Sequence, residues 1–162
     1  MKKTGFTLVE ILIVVIILGI LAAIVIPQFT SASETAKESN LKSDLLTVRN
    51  QLELYRVQHG DNYPWQIVGN DSDDVIEQLT SKTDDQGAID DGSDPRRFRY
   101  GPYLDKMPVN LFVKDIGNDG QAISLTTGDP DGDSSTGWHV NIDTGRFSAN
   151  TDDTKFPEHV TW

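Results

Sequence analysis

The sequence predicts an α+β protein, in which a long N-terminal helix packs on a small antiparallel β-sheet. Two patterns predict it. Apolar residues fill the segment from Ile11 to Ile26, and apolar residues then recur at helical spacing as far as Tyr55. Beyond Ala122 the pattern changes to short alternating segments separated by turn residues, which is typical of strands. A helical region followed by strands, without regular alternation of the two, is typical of the α+β class.

The first apolar segment is nearly long enough to cross a membrane. Ile11 to Ile26 contains no charged residue and would span about 24 Å as a helix, against a hydrocarbon core of about 30 Å. Lys2 and Lys3 precede it, and no basic residue follows until Lys37. The positive-inside rule therefore places the N-terminus in the cytoplasm and the bulk of the chain across the membrane.

Two ordinary interpretations of this segment are a cleavable secretory signal, ending near the small residues 31–33, and a plain single-span anchor. The apolar stretch is longer than the roughly 7 to 15 residues usual in such a signal. Neither interpretation accounts for Glu10, because a carboxylate at that depth costs about 2.5 to 3.5 kcal/mol on insertion scales.

A third interpretation comes from the residues around Glu10. The sequence K-K-T-G-F-T-L-V-E, from Lys2 to Glu10 and followed by the apolar run, resembles the class III signal of type IV pilins and of type II secretion pseudopilins. The resemblance implies that a membrane-embedded prepilin peptidase cuts between Gly5 and Phe6 and methylates the new amino group of Phe6. It also implies a leader peptide at 1–5, a transmembrane and filament-core helix at 6–30, and an extracytoplasmic pilin-like head at 31–162.

Cleavage at that bond would give Glu10 a partner. The new α-ammonium on Phe6 has a pKa near 8 and carries a positive charge at the tip of an apolar helix. A helix N-terminus also favours a carboxylate. We expect Glu10 to pair with the ammonium of a neighbouring subunit, and since desolvation can outweigh the attraction in such a pair, its main use is to fix assembly register.

Two residues predict weak points in the apolar helix. Pro27 lacks an amide hydrogen and clashes with the preceding turn, so a helix that continues through it should kink. Gly19 is a second weak point. The resemblance implies that this stretch bends and can lose helicity in the filament, and the alternative is an ordinary helix end at Pro27.

The second half of the helix is predicted to be amphipathic and to carry the head. Its apolar residues are spaced by three or four and lie on one face: Leu41, Leu45, Val48, Leu52 and Tyr55. The helix should end at about His59, with Gly60 as its stop and an exit turn at 61–64. From Phe6 this makes a helical spine of about 80 Å.

The stretch 65–99 is acidic and loop-rich, with one short predicted helix from Asp74 to Leu79. A solvated surface connection is favoured there over a binding role. The basic segment 95–99 pairs with these aspartates, either within the subunit or across to the next. Residues 100–108 are similar to a segment of the major pseudopilins, although 109–112 read V-N-L-F where those proteins usually have Asp-Pro-Trp-Gly.

Three strands are predicted to form the sheet. They are Ala122–Thr126, the alternating segment Trp138–Ile142, and Arg146–Ser148, which follows a turn at 143–145. Their apolar face should pack against the helical stripe in a helix-on-sheet arrangement, and it consists of Ile123, Leu125, Trp138, Val140, Ile142 and Phe147.

One loop of the predicted head has the composition of a cation site. Asp129, Asp131 and Asp133 alternate with turn residues, and calcium takes six to eight oxygen ligands of this kind. The loop is not an EF-hand, because its glycine is not at the position that an EF-hand requires and no glutamate occupies the last position of the loop. The resemblance to major pseudopilins implies Ca²⁺ here, and a solvated acidic turn is the alternative.

Composition and the absence of certain motifs argue against several classes of function. The net charge of −11 argues against nucleic acid as the main partner, and the absence of cysteine excludes disulfides and thiolate chemistry. The histidines are scattered and no nucleophile or phosphate-loop motif is present, so no enzyme is predicted. The rival function is a membrane-anchored or secreted ligand-binding protein with a conventional signal or anchor.

The resemblance implies a structural subunit of a type IV pilus-like filament or of a type II secretion pseudopilus. Such a subunit is first anchored in the bacterial inner membrane with its head in the periplasm, and is then incorporated into the filament. The implied partners are copies of itself, minor pilins or pseudopilins, prepilin peptidase, and an inner-membrane platform with a cytoplasmic ATPase. The acidic loop and the lack of cysteine favour the secretion branch without deciding between the two.

Overall fold

The computed structural model describes residues 5–94, 96–113, 120–152, 156 and 158–161. It contains three α-helices, α1 (Leu8–Gln58), α2 (Pro64–Val68) and α3 (Ser72–Thr80), followed by strands β1 (Ile123–Thr126), β2 (Trp138–Asn141) and β3 (Arg146–Ala149) and a 3-10 helix at His159–Thr161. The predicted α+β class is confirmed. The chain divides into two compact units, Met1–Ser39 and Asn40–Trp162, and α1 contributes residues to both.

The first unit is the apolar half of α1. Its described side chains from Phe6 to Phe29 are exposed. Among the described residues, α1 is the one helix whose length and composition would allow it to cross a membrane. The helix continues through Gly19 and Pro27, so the alternative of a helix end at Pro27 is wrong.

The second unit has a core built on the predicted helical stripe. Every one of its five apolar residues, from Leu41 to Tyr55, is buried. They form one cluster with Ile123, Trp138, Val140 and Phe147, against which Leu125 and Ile142 pack while partly exposed. Burying a large apolar side chain stabilises a fold by about 1.5 to 3 kcal/mol, so the helix-on-sheet contact is the main source of stability for this unit.

The sheet has the order β1-β2-β3 and is mixed, not antiparallel throughout. β2 and β3 pair antiparallel, with Trp138 opposite Ala149, as expected from the tight turn between them. β1 and β2 pair parallel, with Ile123 opposite Trp138, so the prediction of an antiparallel sheet is wrong for this pair. A parallel pair needs a crossover of about a dozen residues, and the connection 127–137 is long enough to return the chain to the same edge.

The helix ends follow local signals, one of which the sequence analysis missed. α1 ends one residue before the predicted His59, and Gly60 and Asp61 both take positive φ values, of 65° and 70°. α2 was not predicted. It begins with Pro64 at its first position, a favoured place for proline, and the side chain of Gln66 accepts a bond of 2.7 Å from the Tyr63 amide.

α3 confirms the short predicted helix and is longer at both ends. It starts at Ser72, after Asp71, whose carboxylate accepts a bond of 2.9 Å from the Asp73 amide. An aspartate at this position satisfies one of the free amides of the first turn. The N-terminal extension comes from this cap, which the prediction did not use.

The acidic stretch contains one aspartate that is not solvated. Asp84 is only 3% exposed and accepts bonds from Arg97 Nε at 2.7 Å and from the amides of Gln86 and Ala88 at 3.0 and 2.8 Å. Burial alone would raise the pKa of Asp84, but these hydrogen bonds outweigh it and hold the pKa below its usual value. The expectation of a fully solvated loop is therefore wrong at Asp84. The bond from Arg97 confirms that the basic segment 95–99 pairs with an aspartate of the same subunit.

We expect Asp84→Asn to lower the free energy of unfolding by about 1 to 3 kcal/mol, because it removes the charged acceptor of a buried network. The wild-type contribution of Asp84 is present above its unfolded pKa of about 3.9 and is lost as the pH falls through the lower folded pKa. Urea unfolding of the full chain in detergent, followed by tryptophan fluorescence, measures both effects. The exposed neighbour Asp85 supplies the control, since Asp85→Asn should stay within about 0.5 kcal/mol of wild type. Equal effects of the two substitutions would contradict this assignment.

Candidate functional site

The predicted processing bond lies just ahead of α1. Gly5, Phe6 and Thr7 are outside the helix, which begins at Leu8. Phe6 is exposed, and a Cβ added at Gly5 would meet no atom within 4 Å. The segment that a peptidase would have to enclose is therefore accessible in the single chain, while the cleavage itself stays a prediction.

Glu10 closes the first turn of α1 by bonding back to Thr7. Its Oε2 atom accepts bonds of 2.8 Å from both the amide and the hydroxyl of Thr7, and the Glu10 amide donates to Thr7 Oγ1 at 3.3 Å. This reciprocal arrangement is a capping box, which satisfies amides that the helix itself leaves without partners.

Thr7 is the residue of this site that the sequence analysis missed. The signal was available, because Thr-x-x-Glu ahead of an apolar run is typical of a capping box. The bonds between described residues reach Oε2 of Glu10, which leaves Oε1 for a further donor. The carboxylate is thus held at the N-terminal tip of α1, two residues from the start of the helix.

The backbone around and after Pro27 is helical, and side-chain hydroxyls make additional hydrogen bonds to its carbonyl groups. Pro27 donates no amide bond. After it, the hydroxyls of Thr30, Thr35 and Ser39 donate to the carbonyls four residues earlier, at 3.3, 3.1 and 2.9 Å. Such bonds slightly destabilise and often bend helices. The kink predicted at Gly19 and Pro27 stays a prediction, and these contacts favour a helix that is weak there.

The acidic loop between β1 and β2 is shaped by the buried side chain of Asn150. Its Oδ1 accepts from the Gly132 amide at 3.0 Å, and its Nδ2 donates to Thr136 Oγ1 at 3.0 Å and to Asp133 Oδ1 at 3.3 Å. Asp133 Oδ1 also accepts from the Ser135 amide at 2.8 Å. These bonds hold the pKa of Asp133 below its usual value, the contacts with Ser135 being the largest cause.

The three predicted ligands lie in the same loop but do not form one tight group. Asp129, Asp131 and Asp133 are all exposed. Within the described residues, their carboxylates do not come close enough together to ligate one ion. Their oxygen chemistry suits calcium, so binding would depend on a loop arrangement closer than the present one.

His139 lies under this loop on the central strand. It is buried, its Nε2 bonds to Thr126 Oγ1 at 2.8 Å, and its Nδ1 has no hydrogen-bond partner among the described residues. Burial lowers the pKa of His139, and the nearby charges of Asp131 and Asp129 oppose that shift without cancelling it. Both faces of β2 are therefore covered at this position, since Trp138, His139 and Val140 are all buried.

The other two histidines lie elsewhere in the second unit. His59 bonds to the Tyr55 carbonyl and to Thr83 Oγ1, both at 2.9 Å, and stacks on the Tyr55 ring at 3.8 Å. His159 is buried against the rings of Phe112 and Phe156. Each has a packing role, and the fold does not gather the histidines into a catalytic group within the described residues.

Comparison with known proteins gives two kinds of match. The family described as the prokaryotic N-terminal methylation motif matches residues 1–26. The chain is 32% identical over 123 residues to the type II secretion system core protein G of Vibrio cholerae, with 76% of this chain and 72% of that protein covered.

Two further relatives carry the same name. Core protein G of Pseudomonas aeruginosa is 31% identical, with 67% of this chain and 68% of that protein covered. Core protein G of Escherichia coli is 27% identical, with 83% and 87% covered. No solved structure matches the chain. The V-N-L-F segment at 109–112 therefore does not separate the chain from these proteins.

We expect His139 to make the stability of the second unit depend on pH below neutrality. Its folded pKa is lowered, so the unfolded chain takes up the proton first, at about pH 6.5, and stability falls as the pH drops below that value. Urea unfolding at a series of pH values, followed by tryptophan fluorescence, measures the slope. His139→Asn should flatten the slope between about pH 5 and 6.5. An unchanged slope in that variant would assign the effect to another group.

Proposed function

Since the chain belongs to the family of the type II secretion system core protein G, we propose that it is the structural subunit of a type II secretion pseudopilus. In this proposal it is processed by prepilin peptidase and polymerised through α1. A pseudopilus is favoured over a long surface pilus because the relatives are named for secretion. The observation that carries the proposal is the methylation motif matched at residues 1–26, which includes the first part of an exposed apolar helix.

Processing would cut the bond between Gly5 and Phe6, methylate Phe6 and leave α1 attached. The head would then lie in the periplasm and the apolar half of α1 in the inner membrane. On assembly, that half would exchange lipid for the helices of neighbouring subunits, so its apolar surface would stay covered. Contacts of this head-to-tail kind do not close, and they build a filament instead of a ring.

The pairing of Glu10 with Phe6 of a neighbour would set the register of the filament. In the single chain the carboxylate is already oriented by Thr7 and has one oxygen left for a further donor. This orientation reduces the conformational entropy lost when the pair forms. Because desolvation offsets much of the attraction, the pair acts mainly by penalising every register in which Glu10 stays buried and alone.

Assembly of the filament requires partner proteins, and these are only implied by the name that the relatives share. We infer an inner-membrane platform with a cytoplasmic ATPase as the source of force, and minor pseudopilins alongside copies of this chain. The rival proposal is a membrane-anchored or secreted ligand-binding protein. A mature chain that starts at Phe6 favours the filament subunit, whereas a start after 31–33, or retention of Met1, favours the rival.

A second proposal is that the loop of Asp129, Asp131 and Asp133 binds Ca²⁺. Support comes from three exposed carboxylates in one loop, whose shape Asn150 constrains. The bound ion would supply charge neutralisation, and the three aspartates would be its carboxylate ligands. Since the carboxylates are not tightly grouped, we expect weak binding, in the range of about 10⁻⁴ to 10⁻³ M typical of extracellular modules.

We expect Glu10→Ala to be inserted and processed normally but to polymerise poorly. Leaving one partner of a buried ion pair alone costs about 3 to 5 kcal/mol, so filament yield should fall more than about tenfold. Mass spectrometry of the wild type and the variant should give a chain that starts at methylated Phe6, and sedimentation of sheared filaments measures the yield.

The matched control for this experiment is Glu10→Gln. Glutamine keeps an acceptor for the Thr7 bonds and so preserves the capping box, but it removes the charge. If the intersubunit pair is the function of Glu10, both variants polymerise equally poorly. Normal filaments from Glu10→Gln would reduce Glu10 to a local cap and refute the pairing.

For the calcium loop, we expect added Ca²⁺ to raise the stability of the wild-type chain by about 1.4 kcal/mol at ten times Kd. The double substitution D129N/D131N should abolish the increase, and a chelator should reverse it in the wild type. Asp143→Asn, which changes an exposed aspartate outside the loop, is the control. Thermal unfolding measures the effect, and equal stabilisation of all three proteins would rule out this loop as the site.

A further inference from the structure

The second unit exposes large apolar side chains in two separate places. On α1, Leu46, Leu54 and Val57 are 62, 44 and 73% exposed, and we call these three the helix patch. In the segment before the sheet, Val109 and Leu111 are 37 and 49% exposed, and we call these two the loop patch. Among the described residues from Asn40 onward, no other large apolar side chain is exposed to this degree.

The helix patch lies on the side of α1 that points away from the core. At about 100° per residue, the side chains of Leu46, Leu54 and Val57 fall within an arc of roughly 80°, opposite the buried stripe. Ser43, Thr47 and Asn50 lie on or beside this arc and are uncharged, while Glu53 lies about 20° outside its other edge. The outer face of a helix on a soluble head normally carries charges, so an arc that has a charged side chain only at its edge is unexpected on a chain with a net charge of −11.

The loop patch is held rigidly by the residue between its two members. Asn110 is buried, accepts a bond from the Phe112 amide at 3.0 Å and donates from its own amide to the Gly120 carbonyl at 3.0 Å. Its Nδ2 donates to the Gly137 carbonyl at 2.8 Å. With Asn110 turned inward, Val109 and Leu111 are turned outward, and no charged residue lies within 107–113.

We propose that, in the filament, the loop patch of one subunit packs on the helix patch of the next. A polymer that does not close needs two different, complementary surfaces on every copy. The two patches meet that requirement, since they lie on different elements and, both being exposed, do not cover each other. This inference rests on the proposed function, because it names a contact between subunits of that filament.

Charge restricts where two copies of the chain can touch. Two chains that each carry a net charge of −11 repel one another, and contacts between acidic surfaces of their heads would add to that repulsion. A contact made of two uncharged apolar patches avoids this cost. It is also small, so it holds neighbouring heads together reversibly and depends on the α1 bundle for most of the affinity.

Disulfide crosslinking of the full chain tests the proposal, since the natural chain contains no cysteine. One cysteine is placed in each patch of the same chain, pairing every helix-patch position with every loop-patch position. Filaments are assembled in cells, oxidised, and separated without reductant. A heterologous contact joins each subunit to two others, so at least one pair, such as L54C/L111C, should give a ladder of dimers, trimers and larger species.

The matched control is D74C/L111C, which moves the helical cysteine to an exposed position on α3 and should give no ladder. Dimers from Leu54→Cys alone would indicate a symmetric contact and overturn the proposal. So would filaments that sediment normally while no pair of positions crosslinks, and in that case the filament function stands. A chain that is not cut before Phe6 and never sediments as filaments refutes the proposed function, and the contact fails with it.

Discussion

The apolar half of α1 is exposed among the described residues. Its side chains are exposed from Phe6 to Phe29, while the second half of the same helix buries its stripe against the sheet. Apolar area on this scale is too costly to leave in water. The two halves of this helix therefore need different surroundings. The second half is covered by its own head, and the apolar half needs either lipid or neighbouring copies of the helix to cover it.

In the proposed filament, Glu10 would give this otherwise non-directional requirement a defined geometry. Apolar helices can slide past one another at little cost, because dispersion contacts are individually weak. A carboxylate buried at a fixed depth removes that freedom, since it is tolerated only where a positive partner meets it. The capping box with Thr7 adds a structural reason for glutamate at this position, and it orients the side chain in the single chain.

In the head, single buried polar side chains fix the shape of long connections. Asp84 orders part of the acidic stretch, Asn110 orders the loop patch, and Asn150 shapes the aspartate loop. Each supplies at least one side-chain hydrogen bond to a backbone group of its loop. Gly137 adds a steric requirement, because a Cβ there would clash with the Gly120 carbonyl. Loops constrained in this way can present side chains to a partner without losing much entropy on binding.

The sequence by itself determined the features that depend on local periodicity and on short motifs. These include the apolar and amphipathic halves of α1, the stripe from Leu41 to Tyr55, the positions of the strands, and the motif around Glu10. Spacing predicts which residues share a face, because side-chain direction repeats every 3.6 residues in a helix and every two in a strand.

The tertiary structure alone decided the direction of β1 against β2, the cover on both faces of His139 and the burial of Asp84. Each of these depends on pairing between residues far apart in the chain. An alternating strand has the same pattern in either direction, and one aspartate in an acidic run differs from the next only through the arginine that the fold brings to it.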